Sequence, residues 1–233
     1  KLGTPDVCVK CHDDKDVQWA ARWTKDWYGD MAAEHYGEVF YQARRAWPGV
    51  ETDLVELANA DQPLMVRATA LHYLGNYPAP ESATALREAL ASPEPLLRTR
   101  AVMAAGMVPE SQRLHLLAPM FSDSVRTVRT QAAFQCVGLD AAGLSRTQRQ
   151  AFQTATEDYL AIQEFNADHY ASHLNLGNYY LRLEDFEKAA SAFLRAIDME
   201  PAFAYSYINL ADLYRMQNRD DEGEALLQRA VEY

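Results

Sequence analysis

The sequence is poor in cysteine, lacks any long apolar run and carries few basic side chains for its acidic ones. Three cysteines in 233 residues are too few for a framework of disulfides. No uninterrupted apolar stretch approaches the roughly 18 residues that a membrane helix needs, so we expect no membrane span. The 22 lysines and arginines stand against 33 aspartates and glutamates, a net charge of −11. That balance argues against nucleic acid or an anionic membrane surface as a partner.

Helical periods dominate the middle of the chain. No segment alternates polar and apolar residues with the period of a strand, which predicts an all-α protein. A similar segment recurs every 31 residues, at 61–71, 92–102 and 123–133. Each copy has an arginine at the same position, namely Arg67, Arg98 and Arg129. Each unit reads as a turn with a capping residue (Asp61, Ser92, Asp123) and then a helix. Second helices are expected at 81–90 and 110–121. Two helices per unit predict an α-solenoid, and the pattern resembles HEAT-type repeats.

A second period, of 34 residues, follows. Small residues at Gly177 and Ala189 and large ones at Tyr180 and Phe193 recur 34 positions later as Ala211, Gly223, Tyr214 and Leu227. This resembles the tetratricopeptide repeat (TPR), in which small residues let two antiparallel helices touch. We expect full repeats from 170 and from 204, a partial unit at 146–165, and a joint between the two solenoids at 139–145.

Cys8, Cys11 and His12 form the pattern C-x-x-C-H near the start of the chain. With only three cysteines and six histidines in the sequence, chance rarely produces it. Two thiols three positions apart can each bond one vinyl group of a haem, and the adjacent imidazole then becomes the proximal iron ligand. We therefore expect one haem c, held by Cys8 and Cys11, with His12 on the iron.

Three other interpretations of the cysteine pair stay open. A redox dithiol needs its C-x-x-C after a strand of a βαβ unit, and the sequence shows no such unit. A structural zinc site needs a fourth ligand, and there is no second cysteine pair to provide it. The thiols would also stay unreacted in a chain made where haem is not attached.

The sixth iron ligand has two candidates. His35 lies on a second predicted helix that begins near Met31, and the stretch of chain between His12 and His35 is long enough for a helical hairpin to return over the haem. Met31 is the rival, and would give His/Met ligation with a higher potential. We expect His35 to be the distal ligand, so that the metal ligands are His12 and His35.

Tryptophans follow the haem motif at helical spacing. Trp19, Trp23 and Trp27 fall four positions apart on one face of a predicted helix. This stripe is expected to wall the haem, to dock the arm on the first solenoid helix, or to do both.

The remaining chemistry-bearing residues have structural interpretations. The histidines in question are His72, His115, His169 and His173, which we assign to packing or to solvent. Cys136 lies in an apolar helix and is expected to be a buried small hydrophobe. No glycine-rich phosphate loop appears, and no nucleophile has an obvious base beside it. The sequence therefore supports no enzyme active site of its own.

The order of these features resembles the C-terminal part of periplasmic multihaem c-type cytochromes that carry a repeat-protein extension. The residues that carry the resemblance are Cys8, Cys11, His12, the W…WYG run of Trp19, Trp27 and Gly29, His35, and the repeat positions. In such proteins, further C-x-x-C-H motifs precede this region and pass electrons along a chain of haems. The resemblance implies export to the periplasm, with the signal segment absent from this chain. Because only one motif is present, we expect a fragment of a multihaem parent, itself an oxidoreductase in one interpretation.

The resemblance to the TPR also implies a groove for a redox or assembly partner protein. Its inner helices would present Asn178, Arg182, Tyr205, Ile208, Asp212 and Met216. The groove contains no lysine, and residues 168–233 carry 6 basic and 12 acidic side chains, so the partner is expected to be basic or neutral. The second repeat stops before its closing proline position with no capping helix after it, so self-association through this end is the alternative.

These expectations combine into a three-part chain. Residues 1–49 form a haem-binding arm with two short helices, residues 50–140 the HEAT-like repeats, and residues 141–233 the TPR repeats. The function expected is a periplasmic electron-transfer module on a protein-binding scaffold. The alternatives are a pure interaction scaffold with the C-x-x-C-H motif unoccupied, and the assembly part of a multihaem oxidoreductase.

Overall fold

A computed structural model of the chain describes residues 7–29, 35–59 and 61–232. These residues contain fourteen α-helices, three short 3-10 helices and no strand. The all-α solenoid class predicted from the sequence is therefore confirmed. The α-helices are α1 Cys8–Cys11, α2 Val17–Tyr28, α3 Tyr36–Arg44, α4 Val50–Asn59, α5 Leu64–Leu74, α6 Pro80–Leu90, α7 Pro95–Ala104, α8 Glu110–Leu117, α9 Arg126–Cys136, α10 Arg146–Phe165, α11 Tyr170–Arg182, α12 Phe186–Met199, α13 Ala204–Met216 and α14 Asp220–Ala230. The 3-10 helices are Ala105–Met107, Ala118–Ser122 and Ala141–Gly143.

Contacts divide the chain into two compact units, Lys1–Ala85 and Leu86–Tyr233. Helix α6 runs through the boundary between them. The sequence-based division at 49/50 and 140/141 stays a prediction. None of the helices in the described ranges is both long enough and apolar enough to cross a membrane.

In the first unit, α3, α4 and α5 share a core. Leu54, Leu71 and Leu74 are fully buried. The rings of Phe40 and Tyr73 stack with centroids 5.7 Å apart, and the Tyr77 hydroxyl donates to the Ala43 carbonyl at 2.8 Å. These contacts bind the last turn of α3 to the helices that follow it.

The capping residues expected in the second unit lie just before the helix N-caps. Ser92 and Asp123 were interpreted as capping residues, but the N-caps of α7 and α9 are Glu94 and Val125. The Ser92 hydroxyl accepts from the Glu94 N–H at 3.1 Å, and the Asp123 carboxylate accepts from the Val125 N–H at 2.8 Å. Both side chains thus close a turn just before the helix, because a short polar side chain can accept the N–H two positions on.

The recurring arginines tie successive helices to one another. Arg98 donates through two nitrogens to the Asp123 carboxylate, at 2.7 and 3.0 Å. Arg129 makes the corresponding contact with Asp158 on α10, at 3.0 Å. These two arginines therefore each hold an aspartate of a later segment, whereas Arg67 donates to the Ala58 carbonyl on the preceding helix, at 3.1 Å.

Helix α10 matches the predicted partial unit at both ends. Its N-terminus is a capping box, in which the Ser145 hydroxyl accepts from the Gln148 N–H and the Gln148 side chain accepts from the Ser145 N–H. The helix packs against α9 on one side and α11 on the other. It thereby joins the HEAT-like helices to the last four.

The last four helices form two antiparallel pairs around one core. Phe193, Ile197, Tyr207, Leu210 and Leu213 are fully buried in it. Gly177 on α11 lets α12 approach so closely that a Cβ at this position would lie 2.3 Å from a ring carbon of Phe193. The small-residue positions recognised in the sequence therefore do bring helices into contact.

Candidate haem site and partner groove

The C-x-x-C-H residues occupy a single helical turn with its thiols at the surface. Cys8 and Cys11 are exposed, and neither is in a disulfide. The turn ends as the His12 N–H donates to the Cys8 carbonyl at 2.9 Å. The His12 imidazole is exposed and packs against the Trp19 ring, with centroids 4.9 Å apart and planes tilted by 52°. Thiols and imidazole are therefore accessible to the same ligand.

The tryptophan stripe lies on α2, directly after this turn. The Asp16 carboxylate caps the helix by accepting the Trp19 N–H at 2.7 Å. Trp23 and Trp27 contact each other at 5.6 Å between ring centroids, and they are 42% and 67% exposed. Only Ala20 of this helix is buried. Two large apolar rings thus remain uncovered beside the haem motif.

His35 lies outside the helix that the sequence assigned to it. It is the N-cap of α3, where its Nδ1 accepts the Gly37 N–H at 3.0 Å. It also lines a cleft of about 490 Å³ between α3 and α4, together with the carboxylates of Glu38, Asp53 and Glu56. Met31, the rival ligand, and the predicted start of this helix lie outside the described residues.

The groups that a covalently attached haem would need are present together at the start of the arm. Within the described ranges no three histidine, cysteine or acidic side chains converge as metal ligands. The described residues also form no βαβ unit that would support a thioredoxin-like dithiol. A haem needs only two accessible thiols and one adjacent imidazole, and Cys8, Cys11 and His12 supply them.

The predicted groove residues separate into two groups. Tyr205, Ile208 and Met216 are 64%, 41% and 60% exposed, and form a stripe on α13. The other three make contacts within the protein. Asn178 accepts a hydrogen bond from Asn209 at 3.0 Å, Asp212 pairs with Arg215, and Arg182 packs its guanidinium over the Phe134 ring at 4.6 Å.

Arg182 belongs to an arginine cluster that the sequence analysis missed. Its Nη2 donates to Gln135 at 3.5 Å, and burial, followed by the nearby charge of Arg113, lowers its pKa. Arg113 is itself buried and donates to the carbonyls of Gly106, Val108 and Gln135. These carbonyls end helical segments, which favours a cation there. Nothing in the sequence pattern marks a buried arginine that is held by carbonyls alone.

Two repeat families match this chain. The HEAT repeats family matches residues 51–137, and the tetratricopeptide repeat family matches residues 174–232. The chain contains HEAT repeats and tetratricopeptide repeats. The first match covers the helices that carry Arg98 and Arg129, and the TPR match covers the stripe on α13. No curated protein is significantly similar to the chain.

The segment between the two matches contains α10 and its capping box. Repeats of both families are stacks of helices that present long surfaces, and such surfaces commonly bind proteins. The chain is therefore a repeat scaffold suited to protein–protein interaction.

Proposed function

We propose that this chain binds a partner protein through the stripe of Tyr205, Ile208 and Met216 on α13. The exposure of these three large side chains carries the proposal. A tyrosine on a rigid helix is a favourable anchor, because it buries a large area and loses little conformational freedom on binding. Their spacings of three and eight positions place the three side chains on one face of α13.

The charge of the TPR segment indicates what kind of protein would bind. Residues 168–233 have a net charge of −6, and Asp212 lies on the same helix as the stripe. A basic or neutral surface is therefore the favoured partner, since like charges oppose association. The alternative occupant is a second copy of the chain, bound through the exposed Leu227 and Val231 near its end.

The test is capture of partners by the wild type and by a double variant, Tyr205→Ala with Asp212→Lys. Quantitative mass spectrometry of a periplasmic extract should show a protein enriched by the wild type and lost from the variant. Unchanged helicity in circular dichroism would show that the variant is folded, which is expected because Tyr205 is exposed and the Asp212 side chain is half-exposed. Equal capture by the two chains would assign the binding role to the HEAT repeats instead.

A second function is proposed for the arm, that of a carrier for one c-type haem. The observation that favours it is the exposed pair Cys8 and Cys11 with His12 against Trp19, followed by two uncovered tryptophans. Uncovered apolar rings cost free energy in water, and a large planar apolar group would cover them. When bound, the haem would supply one-electron transfer at its iron.

The residues of the arm would divide the work of holding the haem. Cys8 and Cys11 would attach it through thioethers, and His12 would ligate the iron from the proximal side. Trp19 would orient the His12 ring, while Trp23 and Trp27 would exclude water. His35 is proposed on the distal side, with Met31 as the alternative.

Mass spectrometry of chain produced with haem-maturation machinery tests this function. The chain should gain the mass of one haem and show the absorption of a c-type cytochrome. Cys8→Ser with Cys11→Ser should abolish the gain, whereas Cys136→Ser, at the buried cysteine, should not. An unmodified polypeptide mass in the wild type would overturn the proposal and leave the scaffold function standing.

The cellular setting follows from the haem. Thioether attachment in bacteria takes place on the periplasmic side, so we propose a periplasmic electron-transfer module. A multihaem parent protein would place this haem at the end of its electron path. Spectra of the intact parent would test this arrangement, since each further haem adds its own redox step.

A further inference from the structure

A row of aromatic rings runs across the N-terminal ends of the two inner TPR helices. The ring of Tyr170 at the start of α11 lies 4.7 Å from that of Phe203, and Phe203 lies 5.6 Å from Tyr205 at the start of α13. The His169 imidazole extends the row, 4.6 Å from Tyr170 and nearly parallel to it. We call these four rings the aromatic row.

The aromatic row is accessible rather than part of the core. Tyr205 is 64% exposed, His169 is exposed, and Tyr170 and Phe203 are partly exposed. Phe165, just before His169 at the end of α10, is 87% exposed. Ring faces are thus available to a ligand beside the stripe on α13.

The two stretches of sequence that contain the aromatic row carry acidic residues and neither lysine nor arginine. Residues 150–181 and 196–214 include no lysine and no arginine. The same stretches carry seven acidic residues: Glu157, Asp158, Glu164, Asp168, Asp198, Glu200 and Asp212. Of these, Asp158 pairs with Arg126 and Arg129, and Asp212 with Arg215. The negative charge of these stretches therefore favours a cationic ligand over an anionic one.

The cations of the chain itself stack on rings elsewhere. Guanidinium or ammonium groups lie 4.0 to 5.7 Å from the rings of Tyr41, Phe134, Tyr180, Tyr207 and Tyr214. No ring of the aromatic row is among those that a cation covers in the described part of the chain. The ring faces of the aromatic row are therefore available to a cation of another molecule.

We infer that the aromatic row binds a lysine or arginine side chain from a basic segment of the partner protein. A cation within about 6 Å of a ring face is attracted by the negative face of the π-system, and nearby carboxylates add to that attraction. An acidic segment would be opposed by the negative charge of the surrounding sequence, and a purely apolar one would gain nothing from it. The inference rests on the proposed function of the TPR groove and names the chemistry of its ligand.

A short peptide that alternates arginine with glycine, labelled with a fluorophore, is the probe. Fluorescence anisotropy at physiological salt should show saturable binding to the wild type. Tyr205→Leu should weaken it about five- to tenfold, because leucine keeps much of the apolar area and lacks the ring face. Tyr205→Phe should bind within about twofold of the wild type, because it keeps the ring.

Two controls separate stacking from general attraction to an acidic chain. Tyr205→Leu changes no charge, so any loss that it causes cannot come from the net charge. Tyr28→Leu alters a tyrosine that is 77% exposed on α2, and it should leave the affinity unchanged. A peptide with glutamine in place of arginine should not bind.

Equal binding by Tyr205→Leu and the wild type, or equal binding of the glutamine peptide, would overturn the inference. Loss of a Tyr205-dependent dimer in sedimentation, without peptide binding, would also overturn it and make a second copy the occupant. If the arginine peptide fails to bind while Tyr205→Ala with Asp212→Lys still loses its captured protein, the inference fails and the proposed function stands. If that variant keeps its captured protein, the proposed function fails as well.

Discussion

His35 and His169 each cap a helix through the ring nitrogen Nδ1. Each is the N-cap of a helix, and each accepts, on Nδ1, the N–H of the residue two positions on, Gly37 or Ala171. A neutral imidazole that accepts on Nδ1 carries its proton on Nε2. Such a ring cannot offer the Nε2 lone pair to iron at the same time, so cap and ligation compete at His35.

An N-cap is worth only about 1 kcal/mol, so we expect His35 to give up the cap if a haem iron is in reach. In haem-loaded protein, His35→Asn should therefore convert a low-spin spectrum to a high-spin one while keeping a cap on α3. The Gly37 amide should exchange faster with solvent in the loaded wild type than in the haem-free form. His169→Asn is the matched control and should leave the spectrum unchanged. A spectrum that His35→Asn leaves low-spin and Met31→Ala makes high-spin would give the ligand role to Met31.

Tyr207 carries a hydroxyl that the fold does not use. The side chain is fully buried, and its hydroxyl has no hydrogen-bond partner among the described residues. A buried polar group without a partner costs about 1–3 kcal/mol. Tyr207→Phe should therefore raise the free energy of unfolding by about 1 kcal/mol, as measured by urea denaturation. Tyr159→Phe is the comparison, since its hydroxyl donates to Asn175 at 3.4 Å, and it should not stabilise.

Between helices, the two arginine–aspartate ion pairs differ in how far they are buried. The side chains of Arg98 and Asp123 are 13% and 7% exposed, whereas those of Arg129 and Asp158 are 26% and 28% exposed. Burial alone would raise the pKa of Asp123, but hydrogen bonds from Arg98 and from the Val125 N–H, with the Arg98 charge, lower it overall. The hydrogen bonds that Arg98 donates to Asp123 in turn raise the pKa of Arg98.

Asp123→Ala should therefore destabilise the protein by about 3 kcal/mol, because it leaves Arg98 without its carboxylate. Asp158→Ala should cost only about 0.5–1 kcal/mol, because that pair is more exposed. The folded-state pKa of Asp123 is below its unfolded value, so its contribution is present above about pH 4 and is lost as the pH falls further. Urea denaturation across that range should show the gap between wild type and Asp123→Ala closing in acid. A gap that does not depend on pH would contradict this account.

Gly177 tests the close contact between α11 and α12. Alanine favours a helix by about 1 kcal/mol over glycine, but its Cβ would lie 2.3 and 2.4 Å from ring carbons of Phe193. Overpacking of that kind costs about 1–3 kcal/mol, so Gly177→Ala should lower the thermal midpoint. Phe193→Leu should be less harmful in the Gly177→Ala background than alone, because leucine leaves room for the new methyl group. Gly223→Ala is the milder control, since its nearest neighbour would lie at 3.2 Å. A similar loss at both glycines would argue against the contact with Phe193.

Local patterns predicted the helices well, and contacts between distant residues were harder to predict. The two repeat periods predicted the fold class, and α10 spans the same residues as the partial unit expected at 146–165. Ser92 and Asp123 were interpreted as capping residues, but each closes a turn that ends at the helix N-cap, Glu94 or Val125. Arg182 was expected in the groove, but its position depends on Phe134 and Gln135, which lie on α9, far earlier in the chain. The haem motif needs only a few consecutive residues, and its occupancy stays a prediction.

For the whole molecule, charge is the main control on association. The net charge is −11 at neutral pH, and the isoelectric point is near 5.0. Mutual repulsion between molecules weakens as the pH approaches that value. The exposed rings of Trp23 and Trp27 then offer apolar surface for contact between copies.

Light scattering during titration from about pH 7.5 to about pH 4.5 should show aggregation begin near pH 5. Replacing Trp23 and Trp27 together by glutamine should reduce the scattering without changing the isoelectric point. Met65→Gln, at another apolar side chain that is 64% exposed, is the control and should have less effect. Equal scattering from wild type and the tryptophan variant would place the contact elsewhere on the surface.

The contact of Arg98 with Asp123 and of Arg129 with Asp158 makes the HEAT segment modular. Arg98-Thr99 and Arg129-Thr130 are the same dipeptide at the same place in successive units. Excision of residues 99–129 would join Arg98 to Thr130 and put Arg98 where Arg129 now pairs with Asp158. Duplication of the same stretch would add one more arginine–aspartate step. The segment can therefore change length by whole repeat units while each new junction keeps an arginine–aspartate pair. This is a simple route by which such a scaffold could come to fit partners of different size.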